Sequence, residues 1–198
     1  MILNLFDFDG TLVDTELQLF HAYQEAFRVH GNTVLDFDVW KMFRGRHIRE
    51  IAERYGIPED QLMKIITHKA TLYPSQFNFE FNEELFDLVG QANTLSYICT
   101  ATSVNVVHQI LIMNQAALEA FSRFNGILST KDIGAPKPSP AIYLLAFFDA
   151  VRDNYVHRVD VYEDSTVGLD AAYRFSDIVQ DAFPKIRVNV NHVTKYER

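Results

Sequence analysis

The sequence predicts an α/β protein, a parallel sheet flanked by helices, with an all-helical module inserted after the first strand. Three observations carry this. A short apolar run at the very start, Ile2 to Phe8, is interrupted only by Asn4 and Asp7 and broken by Asp9-Gly10, the form of a buried parallel strand. From residue 15 to about 80 the periodicity is helical throughout, with no convincing strand. Beyond that point short apolar runs alternate with helical segments, the pattern of a parallel α/β sheet.

In chain order, Thr15-Glu16-Leu17-Gln18 has capping-box form, with Thr15 capping and Gln18 reaching back. Leu17, Phe20, Tyr23 and Phe27 then recur at helical spacing until Gly31 supplies a stop. Ile48, Ile51, Ala52 and Tyr55, closed by Gly56, predict a second amphipathic helix, and Leu62, Ile65, Ile66 and Leu72 a third between Pro58 and Pro74. Leu85, Phe86, Leu88 and Val89 suggest a helix, Leu95 to Thr100 a strand, and Val106, Val107, Ile110 and Leu111 a helical face. Ser139-Pro140 is a cap and first-turn pair for a helix bearing Tyr143, Leu144, Ala146 and Phe147. Val156 to Tyr162 reads as a strand, Val167 to Tyr173 as a helix and Ile186 to Val190 as a last strand. The expected division is a core of residues 1–14 and 82–198 and a helical insert of 15–81.

Composition narrows the classes. The 198 residues are 48% hydrophobic and 22% charged, which excludes intrinsic disorder. The single cysteine, Cys99, excludes a disulfide framework and fits a reducing compartment. No apolar run approaches the roughly 18 residues of a membrane span, and the first residues lack the form of a signal peptide. A cytoplasmic protein with no membrane partner is expected. The net charge of −8 and a pI near 5.3 argue against nucleic acid as partner.

Four segments carry chemistry. Asp7-Phe8-Asp9-Gly10-Thr11 stands at the carboxyl end of the first strand, where open α/β sheets place their sites. Residues two apart in an extended strand project to one side, so Asp7 and Asp9 call for a divalent cation, a shared proton or exposure. Carboxylate pairs of this kind suit covalent catalysis, one Asp attacking and the other moving protons. Gly10 permits a conformation in which amides, with Thr11 beside them, face an anion. Asp160-Val161-Tyr162-Glu163-Asp164-Ser165 ends a later strand, which places Glu163 and Asp164 at the same sheet edge as hard oxygen ligands for Mg2+. Asp160 itself reads as a partly exposed strand position. In Ala135-Pro136-Lys137-Pro138-Ser139-Pro140, the flanking prolines hold Lys137 in an extended loop where its ammonium can balance a phosphate. Thr100-Ala101-Thr102-Ser103, between a strand and a helix, offers hydroxyl and amide donors to a phosphate.

In this order, the four segments resemble the motifs of the haloacid dehalogenase superfamily, and within it the small-molecule phosphatases and beta-phosphoglucomutase-like enzymes with a helical cap. Asp7 to Asp14 is similar to the first motif, Thr100 (with Thr102 as competitor) to the second, Lys137 to the third, and Glu163-Asp164-Ser165 through Gly168-Leu169 to Ala171-Ala172 to the fourth. The resemblance implies a Rossmann-like core with a cap. It implies Asp7 as nucleophile and Asp9 as general acid and base. Mg2+ would be held by the Asp7 carboxylate, the Asp9 carbonyl and Asp164, with Glu163 acting through a water. Thr100 and Lys137 would hold the phosphoryl group of a small phosphorylated metabolite. Substrate specificity is expected from the cap, where Arg46, His47 and Arg49 could meet a second anionic group. Ala141 stands where many relatives carry Asp, which predicts looser support for Lys137, and Arg174-Phe175-Ser176-Asp177 predicts an irregular segment as far as Pro184. A sugar phosphomutase and a non-catalytic phosphate-binding protein are the alternatives to a Mg2+-dependent phosphatase.

Overall fold

The computed structural model describes residues 1–42, 48–74 and 79–194. It divides into two compact units, one of residues 1–14 and 80–198 and one of residues 15–79.

The first unit is built on a five-stranded parallel sheet. Its strands are Ile2–Phe6 (β1), Thr94–Thr100 (β4), Gly126–Ser129 (β5), Arg158–Glu163 (β6) and Arg187–His192 (β7), in the order β5-β4-β1-β6-β7. The order places β1 at the centre, so residues leaving its carboxyl end emerge between β4 and β6. Two short strands, Val13–Asp14 (β2) and Glu80–Phe81 (β3), form a separate antiparallel ribbon. Residues 80 and 81 are therefore extended, where helical periodicity had predicted no strand.

Around the sheet lie Glu83–Phe86 (α5), Val104–Leu111 (α6), Gln115–Phe121 (α7), Thr130–Ile133 (α8), Ala141–Asp153 (α9) and Thr166–Ala182 (α10). One sheet face packs Leu3, Leu5, Val159 and Val161 against Tyr143, Phe147 and Phe175 of α9 and α10. Apolar burial on that face, the main stabilising term in folding, is joined by a second fully buried set that includes Phe6, Ile98, Val107, Ile110 and Leu111. Sequence periodicity missed α7 and β5, the latter only four residues long. The helix α9 starts one residue later than expected, with Pro140 rather than Ser139 at the cap position. Instead of an irregular segment, residues 174–182 continue α10, with Phe175, Ser176 and Val179 turned inward.

Asp160 is a further correction. It is buried, and Arg158 Nε (2.9 Å) and Asn189 Nδ2 (2.6 Å) donate to its carboxylate. In register it lies beside buried Asn4 of β1 and half-buried Asn189 of β7, so one sheet face carries a polar row. Such an acid is tolerated inside because both its oxygens are bonded.

The second unit contains Glu16–Gly31 (α1), Phe37–Met42 (α2), Ile48–Arg54 (α3) and Glu59–Leu72 (α4). Phe20, Phe27, Trp40, Ile51, Leu62 and Ile65 form its own apolar core. Thr15 precedes α1 but makes no side-chain capping bond. The left-handed residue that stops α1 is Asn32, with φ 46°, one position after Gly31. Asn is among the few non-glycine residues that visit this region at modest cost.

Candidate active site at the carboxyl edge of the sheet

Asp7 follows β1 directly, and its N–H donates to the Tyr162 carbonyl on the neighbouring β6. That bond carries the parallel ladder one residue beyond the strand and points the chain at the end of β6, where Glu163 and Asp164 stand. Next come a turn and the isolated bridge between Asp9 and Val13. Gly10 makes that turn possible with φ 84°. Its own N–H donates to the Val13 carbonyl at 2.7 Å, so this amide closes the turn and is not turned to an anion as the sequence predicted. The Thr11 hydroxyl beside it is buried without a hydrogen-bond partner.

Among the described residues, the carboxylates of Asp7, Glu163 and Asp164 lie within 4.8 Å of one another. Lys137 reaches them from the loop before α9. Its Nζ donates to Asp7 Oδ1 at 2.7 Å and to Glu163 Oε1. The lysine side chain is only 8% exposed, so the expected loosening from Ala141 does not occur. Glu163 is fully buried and further bonded by the Tyr143 hydroxyl at 2.6 Å on Oε1 and by Ser165 Oγ at 3.3 Å on Oε2. Ser165 also caps α10 by accepting from the Gly168 N–H.

Asp9 takes other partners. Thr102 Oγ1 donates to Asp9 Oδ2 at 2.6 Å, and Thr100 Oγ1 approaches the same oxygen at 3.4 Å while accepting from the Thr102 N–H. The carboxylates of Asp7 and Asp9 are therefore held separately, one from β6 and the Lys137 loop, the other from the end of β4. The reason lies in the backbone: β1 ends at Phe6, so the period-two projection of a strand does not extend to residues 7 and 9. Ala101 between the two threonines is exposed.

Electrostatics shows what the site lacks. Three carboxylates against one ammonium leave two negative charges in excess. Burial pushes the Asp7 carboxyl well above the ordinary carboxylate range, and Glu163 adds to this while Lys137 opposes it. Burial works against the Lys137 ammonium, but the Asp7 and Glu163 carboxylates overcome it and hold its pKa well above the usual lysine range. Burial also raises the Tyr143 hydroxyl, which keeps its proton to donate. A small dication would balance that charge, and the clustered carboxylates are hard oxygen donors of the type that Mg2+ takes.

The sequence reading brought Asp7, Asp9, Thr100, Lys137, Glu163 and Asp164 into one site and missed Tyr143, whose apolar neighbours made it look like a core aromatic. Its spacing six residues after Lys137 on the first turns of α9 was the available signal. Arg46 and His47 lie outside the described residues. Arg49, at the start of α3, donates through both terminal nitrogens to the Glu59 carboxylate at 2.7 and 2.8 Å.

The family model of haloacid dehalogenase-like hydrolases matches residues 4–175. The chain belongs to this family and is a hydrolase. More particularly, it is 29% identical over 182 residues to a phosphorylated carbohydrates phosphatase of Thermotoga maritima, covering 85% of this chain and 78% of that protein. It is 28% identical over 169 residues to the 6-phosphogluconate phosphatase of Escherichia coli, covering 84% and 75%. The crystal structure of CbbY from Rhodobacter sphaeroides in complex with phosphate superposes with a TM-score of 0.68 at 22% identity, covering 99% of this chain and 89% of that one, a likeness of fold.

Proposed function

We propose that the chain is a Mg2+-dependent phosphatase that transfers the phosphoryl group of a small sugar phosphate through Asp7 to water. The observation that supports this best is the Asp7 carboxylate, held by Lys137 beside Glu163 and Asp164, with Asp9 held by a separate hydroxyl clamp. The sugar phosphate is supported by the two phosphatases named above, which act on phosphorylated carbohydrates and on 6-phosphogluconate.

The proposed reaction has two halves. In the first, an Asp7 carboxylate oxygen attacks phosphorus, the bond from phosphorus to the ester oxygen breaks, and Asp9 gives that oxygen a proton. In the second, Asp9 takes a proton from water, the water oxygen attacks phosphorus, and phosphate leaves Asp7 with its carboxylate restored. Lys137, Thr100 and the Ala101 amide receive the phosphoryl oxygens, with Thr11 and Gly10 at the turn beside them, and Thr102 orients Asp9. Phosphoryl transfer of this kind depends on positioning and charge stabilisation. Asp7, Asp164 and the Asp9 carbonyl would hold Mg2+, with Glu163 behind them, and the ion would supply positive charge to Asp7 and to the phosphoryl oxygens.

Hydrolysis of p-nitrophenyl phosphate in Mg2+, in EDTA and by Asp7→Asn tests the reaction. Activity is expected only in the first, and turnover that survives both changes would overturn the mechanism. A panel of sugar phosphates, scored for phosphate release and for isomer formation, then separates phosphatase from mutase. We assign substrate preference to the helical insert of residues 15–79. Arg46→Ala and His47→Ala should raise KM for a substrate with a second anionic group about tenfold while leaving p-nitrophenyl phosphate within twofold. Equal effects on both substrates would remove these residues from recognition.

A further inference from the structure

We propose that Tyr143 is a positioning residue for phosphoryl transfer: its hydroxyl fixes Glu163, and through Glu163 it sets where the Lys137 ammonium stands at Asp7. This rests on the phosphatase reading above and adds a residue to which no role in the reaction has been given.

The placement is specific. Tyr143 lies in the first turns of α9, just after the loop that carries Lys137, and it is fully buried. Its hydroxyl donates to Glu163 Oε1 at 2.6 Å, and the Lys137 Nζ lies 5.2 Å from its ring centroid. One side chain thus touches both members of the pair, the acid through its hydroxyl and the cation through its ring face. Glu163 has no exposure to solvent, so its oxygens depend on protein donors. Of these, Ser165 at 3.3 Å is the long one, leaving Tyr143 as the close neutral donor beside Lys137.

Packing does not require that hydroxyl. The ring sits among apolar neighbours, including Phe175 with centroids 5.9 Å apart, and phenylalanine would fill the same space. Removing the hydroxyl leaves Glu163 Oε1 to Lys137 alone. The ammonium is then drawn toward Glu163 and away from Asp7, its other partner at 2.7 Å. Ground-state binding of substrate changes little, whereas the charge opposite the reacting phosphorus is misplaced. Misplacement at this scale is what lowers a chemical step without altering affinity.

The test is a double-variant cycle of Tyr143→Phe and Glu163→Gln, with p-nitrophenyl phosphate kinetics and NMR of the Lys137 ammonium group. Tyr143→Phe should lower kcat about tenfold with KM within twofold, shift or broaden the ammonium signal, and lower kcat less than twofold further in the Glu163→Gln background. An unchanged kcat and ammonium signal, with only a lowered Tm, would make Tyr143 a packing residue and overturn the inference. So would an undiminished tenfold loss in the Glu163→Gln background. A wild-type protein that turns over no phosphate ester would retire the phosphatase reading instead. The ammonium signal then decides Tyr143 by itself: altered by Tyr143→Phe, the positioning stands, and unaltered, it falls.

Discussion

Asp7 carries a contradiction that only a cation resolves. Its carboxyl is pushed up by burial and by Glu163, yet the nucleophilic role proposed for it requires the ionised form. Without metal, the Asp7 carboxyl binds its proton more tightly in the folded chain than in the unfolded one, which releases it near the ordinary carboxylate value of about 4. A group raised in this way contributes stability that is complete below that value and is lost as pH climbs through the folded one. The metal-free wild type should therefore lose Tm more steeply than Asp7→Asn as pH climbs above about 4, and Mg2+ should raise the wild-type Tm more at high pH than at low pH. Parallel curves for the two proteins would contradict the assignment. Lys137, raised above its usual range, keeps its contribution throughout this window. At Asp9 the shorter hydroxyl contact is that of Thr102 at 2.6 Å, so Thr102→Val should reduce kcat about tenfold with little change in Tm; equal kcat would free Asp9 from Thr102. At this scale the acids and Lys137 were legible because their chemistry is written in residue type. Tyr143 was not, because a buried aromatic advertises packing and its hydroxyl partner lies 20 residues away.

The elements position the site through β6 and α10. Ser165 caps α10 and touches Glu163, and the helix then brings Gly168 so close that a Cβ there would overlap the Glu163 carboxylate. That carboxylate cannot yield without giving up Lys137 and Tyr143. Gly168→Ala should cost about 1–3 kcal/mol of stability, the usual range for overpacking, and should reduce kcat by more than tenfold, measured by chemical denaturation and steady-state kinetics. Retained activity would mean that Glu163 has room to move. Elements with long periodic runs, such as α1, α4 and α9, were readable from the sequence. The four-residue β5 and the two-residue β2 and β3 were not, because such short strands are fixed by their sheet partners and carry too few residues to show a period. The capping box at Thr15 failed for a related reason: the residue adopts a helical φ and ψ of −117° and −1°, from which its hydroxyl makes no capping bond.

For the whole molecule, a net charge of −8 first suggests that phosphate would be repelled. The proposed metal would invert this locally, since the clustered carboxylates of Asp7, Glu163 and Asp164 would draw a dication before substrate arrives. Calorimetry with inorganic phosphate should show binding in Mg2+ and at least tenfold weaker binding in EDTA, and equal affinities would count against a metal-first order. Among the described residues no helix is long and apolar enough to cross a membrane. The strand order has a further consequence for the birth of the protein. The strand that leads into Asp7 is made before its two partners, Thr94–Thr100 and Arg158–Glu163, which leave the ribosome much later. Until then an apolar segment waits unpaired while the helical unit, with its own core, is free to form. A ribosome-bound nascent chain should thus hold a folded insert long before it holds a catalytic edge, and activity should appear only after residue 164 has emerged.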